Sequence, residues 1–353
     1  MVREDELNAV LAGLVQGVLV VDRDQKLISI NDAAERLLEV NPQEVLGKPI
    51  DQVIRNDDLR RVVAEALRVD DPVEGHVILP SGDAESADIR FVRVQDTTLH
   101  DTSGKQIGKM IALQDVTRLR RLEVVRRDFV ANVSHEIKTP VTAIKAAIET
   151  LLDAQPIDES DALRFRQIIS RQADRLAAIV EDLLTLARIE QDVEDHQVPL
   201  SLCGLSMVLD AAVDARQDQA DGKSIELIKQ YGEEVQVPVN RLLLEHAVVN
   251  LLDNAIKYSP ESSKVRLGVK VSGRQVTVSV EDEGPGIARE HQERIFERFY
   301  RTDKARSREL GGTGLGLAIV KHVAQAHGGH ADVVSQPGHG AIFRIHLSRL
   351  ADR

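Results

Sequence analysis

A chain of 353 residues is long enough for two or three domains, and a 42% hydrophobic content is sufficient for ordinary cores. The formal net charge of −12 argues against nonspecific binding of nucleic acid, and the single cysteine, Cys203, excludes an intrachain disulfide. There is no signal peptide and no apolar run of transmembrane length, so the chain as written is expected to be soluble and cytoplasmic.

The first part of the chain, residues 5–116, is predicted to form a small antiparallel sheet with helices over one face. The predicted elements are, in chain order, a helix over 4–14, strands over 17–22 and 26–30, a helix over 32–40, and strands over 76–80, 89–101 and 109–117. This order resembles a PAS sensor domain. His76 and His100 could ligate haem in such a domain, but we favour a surface or structural role for both.

A charged helical segment, residues 117–126, follows and is predicted to be a coiled-coil connector, because its apolar residues keep three- and four-residue spacings. It runs into the region 127–192, which is predicted to be two amphipathic helices, one ending at 153 and one over 160–191. Two such helices cannot bury both apolar stripes alone, so a second copy is expected to complete a four-helix bundle and make the chain a homodimer. The acidic stretch 190–196 is predicted to be a solvated linker.

His135 lies on the first of these helices, opposite the centre of its apolar stripe. With Phe129 set at 0° and about 100° per residue, the side chains of the apolar stripe lie at angles of roughly 40° to 120° around the helix axis. His135 lies at about 240°. A core histidine should lie inside the stripe, so His135 is a candidate functional residue. Glu136 flanks it, and Thr139 lies one turn further along the same face.

The last part, residues 198–350, alternates helical and strand patterns and predicts an α/β sandwich with helices on one face of a mixed sheet. The predicted elements are a helix over 204–220, a strand over 224–230, a helix over 239–258, strands over 264–273 and 275–284, a helix over 315–327, and strands over 330–336 and 341–348. The sequence as a whole therefore predicts a multidomain α+β protein.

Four clusters of residues in this last domain are candidates for a ligand-binding site. Asn250 and Asn254 share a face of a predicted helix, although amides are poor helix formers, and such a pair suggests a ligand. The segment 282–286 follows a strand and places two glycines beside a carboxylate. The glycine-rich loop 311–317 opens into a helix, so its backbone N–H groups can cradle phosphates. Two phenylalanines at 296 and 299 precede a region of mixed charge that is expected to form a lid.

In this order the four clusters resemble the Asn-box, DxGxG, Phe-box and GxGxG motifs of the ATP-binding domain of histidine kinases. That domain has the Bergerat fold, which gyrase, Hsp90 and the MutL proteins share. Residues 135–140, His-Glu-Ile-Lys-Thr-Pro, resemble the H-box of the same family. The order of the domains and the residues of the motifs most resemble the phosphate-regulon type of sensor kinase. Kinases of that type usually have an N-terminal membrane anchor. The chain is expected to be a soluble kinase of this type or the cytoplasmic part of an anchored one.

The resemblance implies that His135 accepts the γ-phosphoryl of ATP and passes it to an aspartate on the receiver domain of a response regulator. A neutral imidazole has a free lone pair near pH 7 and can attack phosphorus directly. Glu136 can accept a hydrogen bond from the other ring nitrogen. Thr139 is implied to position water for removing phosphate from the regulator; alternatively, it satisfies the backbone beside Pro140, which is expected to loosen or kink the helix.

The resemblance also assigns the nucleotide-contacting residues. The metal ligand for Mg²⁺ would be Asn254, supported by Asn250. Lys257 would contact phosphate, Tyr258 the base or sugar, and Asp282 the adenine amino group. The glycines fall into two sets: those that leave room for the ring are Gly284 and Gly286, and those that wrap the phosphates are Gly312, Gly314 and Gly316. Either Arg298 or Arg301 would stabilise charge on the γ-phosphoryl group, and the sequence does not choose between them.

Two alternatives to a kinase fit the residues less well. A hydrolytic ATPase of the same fold places a glutamate general base four residues before the metal-binding asparagine. Here Asn250 holds that position and cannot deprotonate water, while Glu245 lies nine residues before Asn254, too far round the helix. A non-catalytic scaffold would not need both an H-box and glycine loops. The sequence therefore predicts an ATP-dependent protein-histidine kinase.

Overall fold

The structure is a computed structural model, and it describes residues 13–69, 71–81, 88–153, 158–194, 198–232, 234–302 and 312–349. The chain divides into two compact units, residues 1–128 and 129–353. Within the described ranges, none of the helices combines the length and apolarity that a membrane span requires. The predicted lid falls mainly on residues outside these ranges.

The first unit is built on a five-stranded antiparallel sheet with the strand order β2-β1-β5-β4-β3. Its strands are β1 (Gly17–Asp22), β2 (Leu27–Ile30), β3 (Glu74–Ser81), β4 (Asp88–His100) and β5 (Gln106–Asp115). Its helices are α1 (Asp32–Leu38), α2 (Pro42–Val45), α3 (Ile50–Val53) and α4 (Asp57–Arg68). All five predicted strands and the antiparallel pairing are confirmed. His76 and His100 are both exposed, which fits the surface role expected for them.

Helix α4 was missed by the sequence analysis, although its signals are present. The side chain of Asn56 caps its first turn by accepting a hydrogen bond from the Leu59 N–H at 2.9 Å. Leu59, Val63 and Ala66 then recur at helical spacing and are buried under the sheet. The predicted helix over 4–14 lies outside the described residues except for its last two positions, which are not helical.

Two long helices follow, α5 (Thr117–Asp153) and α6 (Glu159–Glu194). The loosening or kink predicted at Pro140 does not interrupt the helix: α5 continues through this residue, which is buried. The predicted linker is wrong for residues 190–194, which are the last turn of α6. Acidic residues are compatible with an exposed helix, so their charge alone did not mark its end.

The remaining chain forms a mixed five-stranded sheet with the order β11-β12-β10-β9-β7, in which only the β7–β9 pair is parallel. Its strands are β7 (Glu226–Gln230), β9 (Lys264–Ser272), β10 (Gln275–Asp282), β11 (His330–Ser335) and β12 (Ala341–Ser348). A separate small sheet pairs β6 (Ser201–Gly204) with β8 (Gln236–Val239), and neither strand was predicted. The helices are α7 (Leu205–Asp214), α8 (Gln217–Asp221), α9 (Arg241–Tyr258), α10 (Arg289–Gln292), a 3₁₀ turn (Arg294–Phe296) and α11 (Gly316–Ala326).

Helices cover one face of this sheet, as predicted. Along β10, Val276, Val278 and Val280 are fully buried toward the helices, while Thr277 and Ser279 between them point to the other face. The predicted helix over 204–220 is interrupted near position 216 and becomes α7 and α8.

The end of the helical hairpin packs into the same apolar core. Leu186 and Ile189 of α6 are buried in one cluster with residues of α9 and α11. Phe129 of α5 lies against Phe299, with ring centroids 6.0 Å apart. These contacts bring α5 and α6 beside the glycine-rich loop.

Candidate active site

A cavity of about 570 Å³ lies where α9, the turn after β10, the loop before α11 and the middle of α6 meet. The predicted nucleotide-contacting residues that line it are Asn250, Asn254, Lys257, Tyr258, Asp282, Gly286, Gly312, Gly314 and Gly316. Gly284 lies outside this set. Helix α6 adds Ala178, Glu181 and Asp182, which the sequence analysis did not anticipate.

Helix α9 presents the two asparagines to the cavity. The helix begins after Asn240, whose side chain accepts a hydrogen bond from the Leu243 N–H at 3.2 Å. The Nδ2 atom of Asn250 is buried and has no hydrogen-bond partner in the described part of the chain. A buried amide left unpaired costs about 1–3 kcal/mol, so this donor suits a ligand oxygen. A Cβ atom at Gly316 would lie 2.9 Å from Asn250 Oδ1, so a side chain there would displace the Asn250 amide.

Two backbone N–H groups fix the position of the Asp282 carboxylate. Its Oδ1 accepts hydrogen bonds from the N–H of Gly284 at 2.8 Å and of Ala341 at 3.2 Å. The side chain is 8% exposed, and burial raises the pKa of this carboxyl, while the two hydrogen bonds oppose the shift. A Cβ at Gly284 would come within 2.8 Å of that oxygen, so this glycine is required by packing against the carboxylate itself.

Two further glycines lie where another part of the backbone approaches closely. Gly286 has a φ of +72°, and a Cβ there would lie 2.0 Å from the Gln336 carbonyl oxygen. Gly314 has a φ of +75°, and its carbonyl accepts a hydrogen bond from Phe299 N at 2.8 Å. The glycine-rich loop and the predicted Phe-box are therefore joined through the backbone.

A cationic group faces the cavity. Burial lowers the pKa of Lys257, and the charges of Arg301 and Arg175 lower it further, while Asp253 opposes them. The side chains of Arg301 and Arg175 are only 6% and 9% exposed. Lys257 and Arg301 both line the cavity, and their charges are suited to a polyanion such as a triphosphate.

The two candidate arginines occupy different surroundings. Arg301 lines the cavity and donates from Nη2 to the Gly312 carbonyl at 2.5 Å. Arg298 instead pairs with Glu190 of α6 and lies over the ring of Phe129, 5.2 Å from its centroid. The geometry therefore separates two residues that the sequence could not.

Glu136 connects α5 to the cavity. Its Oε2 accepts hydrogen bonds from Arg175 Nη2 at 2.9 Å and from Arg301 Nη2 at 3.1 Å. The sequence analysis expected this carboxylate to bond the imidazole of His135, and in this arrangement it is bound by arginines. His135 itself is exposed and does not line the cavity. The hydroxyl of Thr139 is also exposed and donates to the His135 carbonyl at 3.0 Å.

A second contact joins α6 to the glycine-rich loop. Thr313 Oγ1 donates to Asp182 Oδ2 at 2.7 Å and accepts from Leu315 N at 3.2 Å. Burial raises the pKa of Asp182, although the Thr313 hydrogen bond opposes this. The sequence placed Thr313 in the glycine-rich loop but gave no sign of its contact with Asp182, because the two residues lie 131 positions apart.

Lys223 is a further residue that sequence reasoning missed. Its Nζ donates to the carbonyls of Ile256 at 2.8 Å, Lys257 at 3.1 Å and Ser259 at 2.9 Å. An ammonium at this end of a helix satisfies free carbonyls and complements the helix dipole. Lys223 thereby fixes the last turn of α9, which carries Lys257 and Tyr258.

Three known families match successive parts of the chain. Residues 11–121 match the PAS fold, and residues 125–192 match the His Kinase A (phospho-acceptor) domain. Residues 239–350 match the histidine kinase-, DNA gyrase B-, and HSP90-like ATPases.

Relatives are similar over nearly the whole chain. The sensor-like histidine kinase SenX3 of Mycobacterium tuberculosis is 33% identical over 352 residues, which cover 98% of this chain and 80% of SenX3. The phosphate regulon sensor protein PhoR of Pseudomonas aeruginosa is 34% identical over 346 residues, with 98% and 74% covered. The sensor histidine kinase WalK of Bacillus subtilis is 31% identical over 345 residues, and the chain spans only 55% of its length.

A solved structure has the same fold. The histidine kinase ThkA, determined in complex with the response regulator protein TrrA, superposes with a TM-score of 0.51 over 97% of this chain and 98% of its own, at 21% identity. The order of the three matched domains and the whole-chain relatives agree with one another, and the chain belongs to the PAS-containing sensor histidine kinases of two-component systems.

Proposed function

We propose that this chain transfers the γ-phosphoryl group of ATP to His135 and then to an aspartate on the receiver domain of a response regulator. The observation that carries the proposal is the shared carboxylate of Glu136. It lies next to His135 in the chain and is hydrogen-bonded to Arg301, which lines the cavity. The phosphoacceptor helix and the nucleotide cavity are thus joined by one side chain.

The reaction needs little from the protein beyond position and charge. A ring nitrogen of His135 attacks the γ-phosphorus, the bond to the β-phosphate oxygen breaks, and ADP leaves with the electron pair. Lys257 and Arg301 stabilise the charge on the phosphates. Arg301 is preferred over Arg298 because only Arg301 lines the cavity.

The metal and the base are held by different walls of the cavity. Asn254 would hold Mg²⁺, with Asn250 supporting the ion and the phosphates; when bound, the ion neutralises phosphate charge. The unpaired Nδ2 of Asn250 fits this environment. Both backbone bonds of Asp282 use Oδ1, which leaves Oδ2 to accept from the adenine amino group, with Tyr258 against the base or sugar.

The glycines allow the backbone to reach the ligand. Gly312, Gly314 and Gly316 would present backbone N–H groups to the phosphates. Gly284 and Gly286 would shape the turn below the base.

Transfer is favoured over hydrolysis by the chemistry of α9. Asn250 holds the position at which a hydrolytic relative would need a general base, and an amide cannot deprotonate water. Glu245 does not line the cavity. A histidine on a neighbouring helix is then the available acceptor.

The working form is a homodimer that acts in the cytoplasm, where ATP and response regulators meet. In the single chain, the predicted stripe residues Val141 and Ile148 are 46% and 42% exposed, and Leu122 of the connector is 58% exposed. A second copy would bury these side chains in a four-helix bundle.

The same protein also removes phosphate from its regulator, using Thr139. Its hydroxyl donates to the His135 carbonyl, so its lone pairs remain to accept a hydrogen bond from an attacking water.

Labelling with γ-labelled ATP tests the kinase assignment. The label should be acid-labile and base-stable, as a phosphoramidate is, and should be absent from His135→Gln. This variant should still bind ATP, because His135 lies outside the cavity lining. Acid-stable label on serine or threonine, or full labelling of His135→Gln, would contradict the proposal.

A further inference from the structure

Three ligating side chains converge on the sheet face that points away from the helices. His330 and Asp332 lie two residues apart on β11 and so point to the same side. His346 on β12 is the register partner of His330. The candidate ligand atoms of these three residues all lie within 4.8 Å of one another.

We propose that His330, Asp332 and His346 bind a divalent transition-metal ion of the zinc class, with water completing the coordination. Two imidazoles and one carboxylate are a donor set that zinc-class ions prefer, whereas Mg²⁺ prefers oxygen ligands alone. The site is independent of the nucleotide chemistry and does not rest on the kinase assignment.

The ligand atoms are close to the required spacing. His346 Nε2 and Asp332 Oδ2 are 2.9 Å apart. Ligands bonded tetrahedrally at about 2.0–2.2 Å lie roughly 3.4 Å apart, so this pair needs to open by about half an ångström. The ring of His330 stacks on that of His346 with centroids 4.3 Å apart, and the exposed His330 can tilt to complete the set.

Neighbouring side chains orient two of the ligands. Thr277 Oγ1 lies 3.1 Å from Nδ1 of His346, and a metal-binding histidine commonly uses its second ring nitrogen in this way. Arg344 Nε donates to Asp332 Oδ1 at 2.6 Å, which leaves Oδ2 facing His346. His346 is only 12% exposed and is therefore held in a fixed orientation.

The location separates this site from the ATP cavity. Strand β10 carries Thr277 on the open face and ends in Asp282 on the cavity side. Zinc-class binding is therefore expected without nucleotide and without competition from Mg²⁺.

Titration of the chelator-treated full chain with Zn²⁺ alone, in the absence of nucleotide, tests the proposal by calorimetry. One site is expected, with affinity at least about tenfold lower in His330→Ala and in His346→Ala, and about tenfold lower in Thr277→Val. His339→Ala removes an exposed histidine outside the cluster and should bind like the parent. ATP binding by each variant establishes that it is folded.

Substitution of Co²⁺ for Zn²⁺ provides an optical readout. Absorption bands of four-coordinate cobalt should appear in the parent and in His339→Ala, and should be lost in His346→Ala. Absence of Zn²⁺ binding in the parent, equal affinity in His330→Ala and the parent, or displacement by equimolar Mg²⁺ would each overturn the proposal.

Discussion

The candidate nucleotide cavity and the face of α5 that carries His135 are built in different ways. In the cavity, Asp282 is 8% exposed and fixed by two backbone N–H groups, and the glycines are fixed by close contacts. On α5, His135 and Thr139 are exposed. The cavity is therefore organised before a ligand arrives, whereas the exposed face of α5 would, in the proposed reaction, contact the ATP domain and a regulator in turn.

This difference predicts two classes of variant. Substitutions in the cavity should reduce autophosphorylation, because they alter a prearranged electrostatic environment. Substitutions on the acceptor face should separate one reaction from another, because each partner uses the exposed groups differently.

The largest expected effect is in the cavity. Asn254→Ala should lower the rate of autophosphorylation by about a thousandfold, because it removes the proposed Mg²⁺ ligand and misplaces the γ-phosphate. The initial rate of labelling from γ-labelled ATP measures this. Gln275→Ala, at the exposed start of β10, is the control and should retain the parental rate. A parental rate in Asn254→Ala at limiting ATP would remove this residue from the metal site.

The next largest effect separates two arginines three positions apart. Arg301→Gln should lower autophosphorylation by about a hundredfold, because Arg301 lines the cavity and bonds Glu136. Arg298→Gln is the matched control and should change the rate by less than about threefold, because Arg298 pairs with α6 at the rim. The opposite ranking of the two rates would mean that the cavity geometry does not select the phosphate-binding arginine.

Much of the fold followed from periodicity in the sequence. Strands β10 and β12 alternate buried and more open residues, and this pattern is local to each strand. Helix α4 was overlooked despite its Asn56 cap. Strands β6 and β8 were overlooked because β6 ends in Gly204 and β8 contains Pro238, and both residue types are depleted in strands. The loosening or kink expected at Pro140 does not end α5, which continues through this buried proline.

The motif residues of the site could be named from the sequence, but their partners could not. Nothing in the local sequence links Glu136 to Arg301, since they are separated by 165 positions. The same holds for Lys223, which caps the end of α9 from 33 residues away. The roles of Gly284 and Gly286 also required coordinates, because the atoms that exclude a Cβ belong to Asp282 and to a distant turn.

On the acceptor face, Thr139→Ala should leave autophosphorylation within about twofold of the parent but slow dephosphorylation of the phosphorylated regulator at least tenfold, on the order expected for a residue that orients an attacking water. Thr142→Ala is the matched control, because its hydroxyl makes the same kind of bond to the Lys138 carbonyl at 2.8 Å. Both reactions are followed with purified regulator. Equal loss of the two activities in Thr139→Ala would indicate a structural role beside Pro140.

The smallest expected effect concerns the rim where α6 meets the ATP domain. Burial, together with Arg298 and Lys321, lowers the pKa of His322 to about 4, so its ring is neutral at pH 7 although Glu190 lies 3.4 Å away. An unfolded histidine has a pKa of about 6.5, so between these two values the unfolded state binds more protons. The free energy of unfolding should therefore fall as the pH is lowered through this window.

His322→Asn should remove this part of the pH dependence. Since the side chain is a quarter exposed, we expect the loss of stability between pH 7 and pH 5 to be smaller in the variant by only about 1 kcal/mol. Urea unfolding followed by circular dichroism at both pH values measures the difference, and His339→Asn, exposed and outside this contact, controls for loss of a histidine. If the free energy of unfolding changes with pH equally in the parent and in His322→Asn, the ring takes up its proton equally in the folded and unfolded states. Its burial against α6 would then not hold it neutral.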